Sequence, residues 1–478
     1  MKRLEAIASL LLRLDRRSKA SLQEQLCQEL RQAISTGVLA PGTRLPSTRV
    51  LASELAVSRT TVVAALLQLL EEGYLTTRER SGTFVAEEPG GSPVVSSGER
   101  PRASSRAPLR LSRRITELER AQAAGSVQPP GARPRAFRLS RPALDHFPVR
   151  DWSRILSRRA ARISYAQLDY GDEAPELRGA IAQLVSSARG MRVHADQVLL
   201  FTGSQRALEF AVGAVLDPGD RAWMEDPGYP GVRSVLRAAG ASVVPVPVDA
   251  QGLVVASGVA LARDARLVFT TPSCQFPLGV TMSLARRQEL LRWADAADAC
   301  IIEDDYDCEF RHTGAPLPAL HGLDASHRVL YVNSFSRTMY PALRLGYLVV
   351  PERLTERLRR ARATLEEPLP SLVQLALVDF ITEGHFVRHL RRMKVLYRER
   401  CEALLSAASA AGLQRLRMRH VESGLHAIAD LPAGVDAEAV SAAAARRAVE
   451  VVPLSRFHAD ARVSSSALVP RLRSGGPG

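Results

Sequence analysis

Lysine is almost missing from this 478-residue chain. Only Lys2, Lys19 and Lys394 occur, so arginine supplies the other 61 (64 less 3) of its basic side chains. Any chemistry that needs a neutral amine therefore has three candidates in all. Cysteine is scarce as well. The five cysteines (Cys27, Cys274, Cys300, Cys308, Cys401) are odd in number, scattered and without a CxxC pair. That argues against a disulfide framework or a zinc site and suits a reducing compartment. No apolar run approaches the roughly 18 residues a membrane span requires. The start, Met1-Lys2-Arg3 with a run to Leu10-Leu11-Leu12, is interrupted by Glu5 and closed by Arg13. No small-x-small cleavage site follows, so a cytoplasmic protein without a membrane partner is expected.

Hydrophobic residues make up 46% of the chain and charged ones 24%, which excludes a disordered polymer and leaves material for buried cores. At roughly 100–200 residues per domain, two to four domains are expected. The net charge of +14 favours a polyanionic partner.

Residues 18–88 carry legible punctuation. Ser21-Leu-Gln-Glu24 is a capping box, and Leu22, Leu26, Leu30, Ala33 and Ile34 then line one helical face up to Gly37. A short second helix begins near Ser47 and turns its Leu51, Ala52 and Leu55 inward. Ser58 caps a third, with Val62, Leu66, Leu69 and Leu70 as its buried stripe and Gly73 as its stop. Tyr74–Thr76 and Thr83–Val85 read as a hairpin. Helix, helix, turn, helix and two-stranded wing make a winged helix-turn-helix, the shape of a reader of double-stranded DNA. Ser58, Arg59, Thr60 and Thr61 stand at the start of the third helix, where side chains reach base edges. Arg44, Ser47 and Arg49 flank the second helix, and Gly82 lets the wing tip approach a groove closely. The alternative is a small helical domain with a solvated face, since residues 1–88 hold 12 basic and 10 acidic side chains.

This region resembles the GntR-type winged helix. Four motifs in order carry the likeness: Gly42-Thr-Arg-Leu-Pro-Ser47, Val57-Ser-Arg-Thr-Thr61, Glu72-Gly-Tyr-Leu75 and Ser81-Gly-Thr-Phe-Val85. The resemblance puts Arg49, Ser58, Arg59, Thr60 and Thr61 at DNA-contacting positions.

Residues 89–136 lose all periodicity and read as a mobile linker rich in Pro, Gly, Ser and Arg, with a short helix near 109–123. From residue 137 to about 460, β-rich runs alternate with helical stretches. Strands are expected at 198–202, 221–224, 242–246, 267–270, 300–303, 329–332 and 345–350. The fold class is α/β, a mainly parallel sheet clad by helices. Ligands bind beyond the carboxyl ends of such strands. There Gly203-Ser204-Gln205 offers free amides to a phosphate and Tyr229 an aromatic plate. Asp304 offers an acid for a protonated pyridine nitrogen, Tyr306 a phenol for a ring oxygen. Ser334, Ser336 and Arg344 add groups for an anion.

The large region resembles the fold-type I, pyridoxal-phosphate-dependent aminotransferase domain of the MocR subfamily of GntR regulators. The motifs are Tyr170-Gly-Asp172, Thr202-Gly-Ser-Gln205, Asp226-Pro-Gly-Tyr-Pro-Gly231, Thr271–Gly279, Glu303-Asp-Asp-Tyr-Asp-Cys-Glu-Phe310 and Ser334–Tyr347. The resemblance implies pyridoxal 5′-phosphate as cofactor, stacked on Tyr229, with Asp304 at its nitrogen and Tyr306 at its phenolic oxygen. Ser204, Gln205, Ser334, Ser336 and Arg344 would hold its phosphate. A head-to-tail homodimer is implied as well.

The decisive departure is Arg337, standing where the family has its Schiff-base lysine. A guanidinium is never a neutral nucleophile in a protein. Lys394, in Arg391-Arg-Met-Lys-Val-Leu-Tyr-Arg398, reads as part of a basic helical face and offers no substitute. No catalytic residue is therefore assigned, and any cofactor or small anionic effector is expected to bind noncovalently. Cys274 replaces the family's usual histidine and is expected only to pack. Residues 461–478 depart from the family's ending and read as an atypical, disordered tail, so Arg462, Arg471 and Arg473 take no role. His385 and His389 are four apart, a spacing that can grip a metal, but without a third ligand they are expected on a helix surface with no metal site.

The expectation is a DNA-binding regulator with an aminotransferase-like effector or dimerisation domain that is not an enzyme. The alternatives are a working aminotransferase with a DNA-binding appendage, or a DNA-binding protein with a ligand-free scaffold.

Overall fold

Apolar spacing and helix caps build the first unit. In the computed structural model, α1 (Leu22–Ser35) starts at the Ser21–Glu24 capping box, α2 (Thr48–Glu54) at Ser47 and α3 (Arg59–Glu71) at Ser58. β1 (Leu75–Arg78) and β2 (Gly82–Val85) form the antiparallel wing. Leu26, Leu30, Leu51, Val62, Leu66 and Leu69 close one core together with Leu75 and Val85 of the wing. The Arg31 guanidinium holds Glu72 at 2.6–2.7 Å, tying α1 to the end of α3. That clamp fixes the angle at which α3 is presented.

The structure describes residues 14–16, 18, 20–78, 82–87, 110–124, 137–139, 141–169, 173–410, 416–419, 422–460 and 467–469. Two compact units result, Met1–Arg110 and Leu111–Gly478. Ser81, Tyr170-Gly-Asp172, Arg462, Arg471 and Arg473 lie outside the described residues, as does most of the 89–136 segment.

All seven expected strands are present in the large unit: β3 (Val198–Phe201), β4 (Arg221–Asp226), β5 (Ser242–Asp249), β7 (Leu267–Thr270), β8 (Cys300–Asp304), β9 (Val329–Ser334) and β10 (Gly346–Val349). With the two-residue β6 (Gly252–Leu253) they form an eight-stranded sheet, ordered β3-β10-β9-β8-β7-β4-β5-β6. The central strands run parallel, β10 lies antiparallel to β3 and β9, and β6 lies antiparallel to β5. One core, including Trp152, Ile181 and Phe380, covers one part of the sheet; Leu208, Val212 and Leu236 belong to a second.

Three expectations need correction. The linker's helix exists as α4 (Arg113–Ala124), but it packs against the helix Pro230–Ala238 and its Arg114 pairs with Glu209. It therefore belongs to the large unit rather than to a mobile tether. Beyond residue 460 the chain is not wholly outside the fold. Ala467–Val469 form β14, which pairs with β12 (Ala429–Asp430) and β13 (Val452–Pro453) in a four-stranded sheet completed by β11 (Arg417–Met418). His389 is not on a helix surface. It is 2% exposed, edge-on to Phe147 at 5.6 Å, and burial lowers its pKa to about 4.

Candidate functional site

In the first unit the named side chains divide into exposed and capping groups. Arg44, Arg49, Arg59 and Thr60 are exposed, and the three arginines form no ion pair among the described residues. Ser58 accepts a hydrogen bond from the Thr61 amide at 3.0 Å and lies 2.7 Å from the Thr61 hydroxyl. Ser47 likewise accepts from the Val50 amide at 3.4 Å. These hydroxyls first serve the helix starts and only then face outward. Arg44 is placed differently from expectation. It bridges to Phe84, and a Cβ on Gly82 would stand 3.3 Å from its Nε, so it belongs to the wing. Gly82 has φ +110, which a side chain would strain.

In the large unit the sheet register gathers one end of the site. Gly346 is the partner of both Phe201 and Ser334, so the end of β3, the end of β9 and the start of β10 coincide. The helix α5 (Ser204–Val215) begins there from Gly203, at φ +97. A Cβ on Gly346 would stand 2.7 Å from the Ser204 amide nitrogen, so only glycine allows this approach. The unpaired amides of that first turn favour an anion. Arg344, exposed and left-handed at φ +51, precedes the junction by two residues. Ser334 and Ser336 are half-buried.

Tyr229 follows β4 and leads into α6 (Pro230–Ala238). Its hydroxyl donates to Gln205 Oε1 at 3.3 Å, and Gln205 Nε2 donates to the Gly231 carbonyl at 3.0 Å. The turn before it is anchored from several sides. Asp226 accepts the Ala459 amide at 2.7 Å, and Gly228 donates to Phe457 at 3.0 Å. The buried Glu225 carboxylate accepts from Thr270, Thr271 and Gln275 at 2.5–3.1 Å and locks the following loop. Asp226 is thus a brace and not a ligand group.

Asp304, Tyr306, Tyr229 and Arg337 share one electrostatic neighbourhood. Burial and then the neighbouring Asp305 charge push the Asp304 carboxyl up to about 7, with Arg337 opposing. The Arg337 guanidinium lies 5.4 Å from the Tyr306 ring centroid, and its Nη1 is 3.5 Å from Asp307 Oδ2. Burial works against its charge, but Asp307, Tyr306, Tyr229 and Asp304 together hold its pKa above the ordinary value. It stays a cation. Cys274 is buried, 3.9 Å from the Tyr306 hydroxyl, with its thiol pushed up to about 12 by burial.

Two contributors escaped the sequence reading. Asp307, the partner of Arg337, is 1% exposed and at φ +57, and its Oδ1 has no hydrogen-bond partner among the described residues. Asp305 is fully buried against Arg189 at 2.6 Å and receives the Tyr331 hydroxyl at 2.8 Å. Both lie within the Glu303–Phe310 motif, yet only three-dimensional pairing separates their roles from that of Asp304.

The residues present fit the phosphate and ring of pyridoxal phosphate. They do not fit its covalent attachment, because the side chain among them at the expected position is a half-buried, charged guanidinium.

Residues 22–85 match the family of bacterial regulatory proteins of the gntR type, and residues 138–471 match aminotransferase class I and II. A probable rhizopine catabolism regulatory protein, MocR, of Rhizobium meliloti is 38% identical over 93% of this chain and 89% of its own length. The pyridoxine biosynthesis transcriptional regulator PdxR of Corynebacterium glutamicum is 31% identical over 94% of this chain and 92% of its own. An archaeal alanine:glyoxylate aminotransferase superposes with a TM-score of 0.68 at 23% identity, covering 76% of this chain and 93% of that one, which shows the fold alone. The chain belongs to the MocR-like GntR regulators, transcriptional regulators that join a DNA-binding winged helix to an aminotransferase-like domain.

Proposed function

We propose that the large domain is a ligand-responsive, non-catalytic sensor. Its pocket takes pyridoxal 5′-phosphate, or another phosphorylated or dicarboxylate anion, reversibly and without a covalent bond. The observation that carries this reading is Arg337, a half-buried cation paired with Asp307 beside Tyr306 and Asp304. A guanidinium can pair bidentately with an anion. It cannot attack an aldehyde, and it cannot relay the proton that transamination requires.

In this reading the Ser204 and Gln205 amides, Ser334, Ser336 and Arg344 hold the phosphate. Tyr229 stacks on the ring, Asp304 faces the ring nitrogen and Tyr306 the phenolic oxygen. Pyridoxal phosphate, when bound, supplies an electron-withdrawing ring. The chain's own residues orient that ring and leave its aldehyde unreacted beside Arg337. Arg44, Arg49, Arg59, Thr60, Thr61 and the Gly82 wing contact DNA, with Ser47 and Ser58 presenting helix amides to phosphate. The working form is a cytoplasmic head-to-tail homodimer.

The test uses the full chain. Calorimetry with pyridoxal phosphate should show binding that weakens in Arg344→Ala. Borohydride should trap no adduct in the wild type and should trap one at residue 337 in Arg337→Lys. Amino acid and keto acid with added cofactor should give no turnover above the free-cofactor background. Turnover that disappears in Asp304→Asn would overturn the non-catalytic reading. No heat in the wild type together with no adduct in the lysine variant would leave the large domain a ligand-free scaffold.

A further inference from the structure

The pocket just described uses the carboxyl ends of the parallel strands. At their opposite ends, where β7, β8 and β9 begin, lies a separate cavity of about 440 Å³. That volume falls within the usual range for a small-molecule site. One side is apolar. Val215 comes from the last turn of α5 and Leu330 from β9, while Leu354 comes from the short turn before α7 (Thr355–Leu365) and Leu358 from its first turn. Leu354 is 37% exposed, an apolar surface left open to the cavity. Cys300 adds to that wall, since burial pushes its thiol up to about 12 and keeps it neutral.

The other side is cationic. Arg266, Arg328 and Arg357 line it against a single lining carboxylate, Asp298. Asp298 serves two of them: its Oδ2 lies 3.4 Å from Arg266 Nη1, and its Oδ1 pairs with Arg328 Nη1. Arg328 Nε also lies 3.9 Å from Asp295, outside the lining. Arg357 has no carboxylate partner among the described residues. The C-terminal end of α5 and the N-terminal end of α7 both meet the cavity, and their opposed dipoles largely offset each other. The side chains decide the sign, and it is positive.

We infer that this cavity is a second ligand site, for a monocarboxylate with an alkyl or aryl body. The carboxylate would sit at Arg357 and Arg328, and the body would lie along Leu330, Leu354 and Leu358. A single charge suits the site because Asp298 already neutralises part of the cationic side. Among the described residues no Phe, Tyr or Trp lines the cavity, where His327 is its one aromatic ring, which distinguishes it from the Tyr229 pocket at the far end of the same sheet.

The experiment is calorimetric titration of the full-length protein with octanoate and with indole-3-acetate, and with octylamine as a charge-reversed control. At least one carboxylate should bind saturably, one per chain, while octylamine gives no saturable heat. Arg357→Glu and, independently, Leu354→Glu should each lower that affinity by about tenfold or more, the scale of losing a charge-assisted contact. Both positions are exposed, and thermal unfolding should confirm that both variants fold. Arg344→Ala, at the other pocket, should leave the affinity unchanged. Absence of saturable binding for both carboxylates overturns the inference. Unchanged affinity in both glutamate variants, or an equal loss in Arg344→Ala, overturns it as well.

Discussion

At the scale of single residues, the burial of Asp304 has a sign that can be read in solution. Its folded-state pKa is raised from 3.8 to about 7, first by desolvation and then by the Asp305 charge. Between those values the folded protein keeps a proton that the unfolded chain has released. Folding therefore takes up a proton, and this group's contribution weakens as pH rises through the window. Below the lower value the penalty is absent. Asp304→Asn removes the ionisation, so its urea midpoint relative to wild type should rise from pH 4.5 to pH 7.5. A constant difference across that range would show that Asp304 ionises normally. Asp304, Tyr229 and Arg337 were legible in the sequence because each sits inside a motif with distinctive chemistry. Asp307 was not. Its motif neighbours Asp304 and Asp305 are chemically identical, and only the fold turns one toward Arg337 and another toward Arg189.

At the scale of elements, helix caps and nearby apolar spacing were legible, and distant pairing was not. The first three helices start at the serines expected, because a cap is written within four residues of the helix it serves. By contrast, α4 read as part of a tether because its docking depends on α6, over a hundred positions away. The β14 residues Ala467–Val469 are too short and too polar in their surroundings to announce a strand. Their backbone bonds go to residues 429–430 and to 452–453. The caps also separate stability from recognition in α3. Ser58→Ala removes the acceptor of the Thr61 amide and should cost about 1 kcal/mol in a urea melt of the winged helix. Arg59→Ala touches no cap and should leave that melt unchanged. It should lower affinity for the specific operator much more than for random duplex, since base readout is lost while phosphate contacts remain. Equal losses on both DNAs in a gel-shift titration would assign Arg59 to the backbone instead.

For the whole molecule, the exposed apolar surface argues for a partner copy. Tyr165 is 93% exposed, Leu168 66% and Leu365 67%, well beyond what scattered surface residues show together. Leu168 also lines, with Ile163, Pro368 and Leu372, an open cavity of about 350 Å³ between residues 163–169 and 367–372. The described residues leave the cavity at Leu168 open, and a symmetric dimer would bury it from both copies. The proposed head-to-tail arrangement therefore predicts that the protein sediments as a dimer of two 52.0 kDa chains. Leu168→Asp with Leu365→Asp puts unpaired charge at two of these exposed apolar positions and should shift the protein to monomer. Each monomer keeps its winged helix but loses the coupling of two half-site contacts. Binding to a two-half-site operator should then fall far more steeply than binding to an isolated half-site. A double variant that stays dimeric would move the interface elsewhere on the large domain. One that becomes monomeric with undiminished operator affinity would show that a single winged helix suffices for recognition.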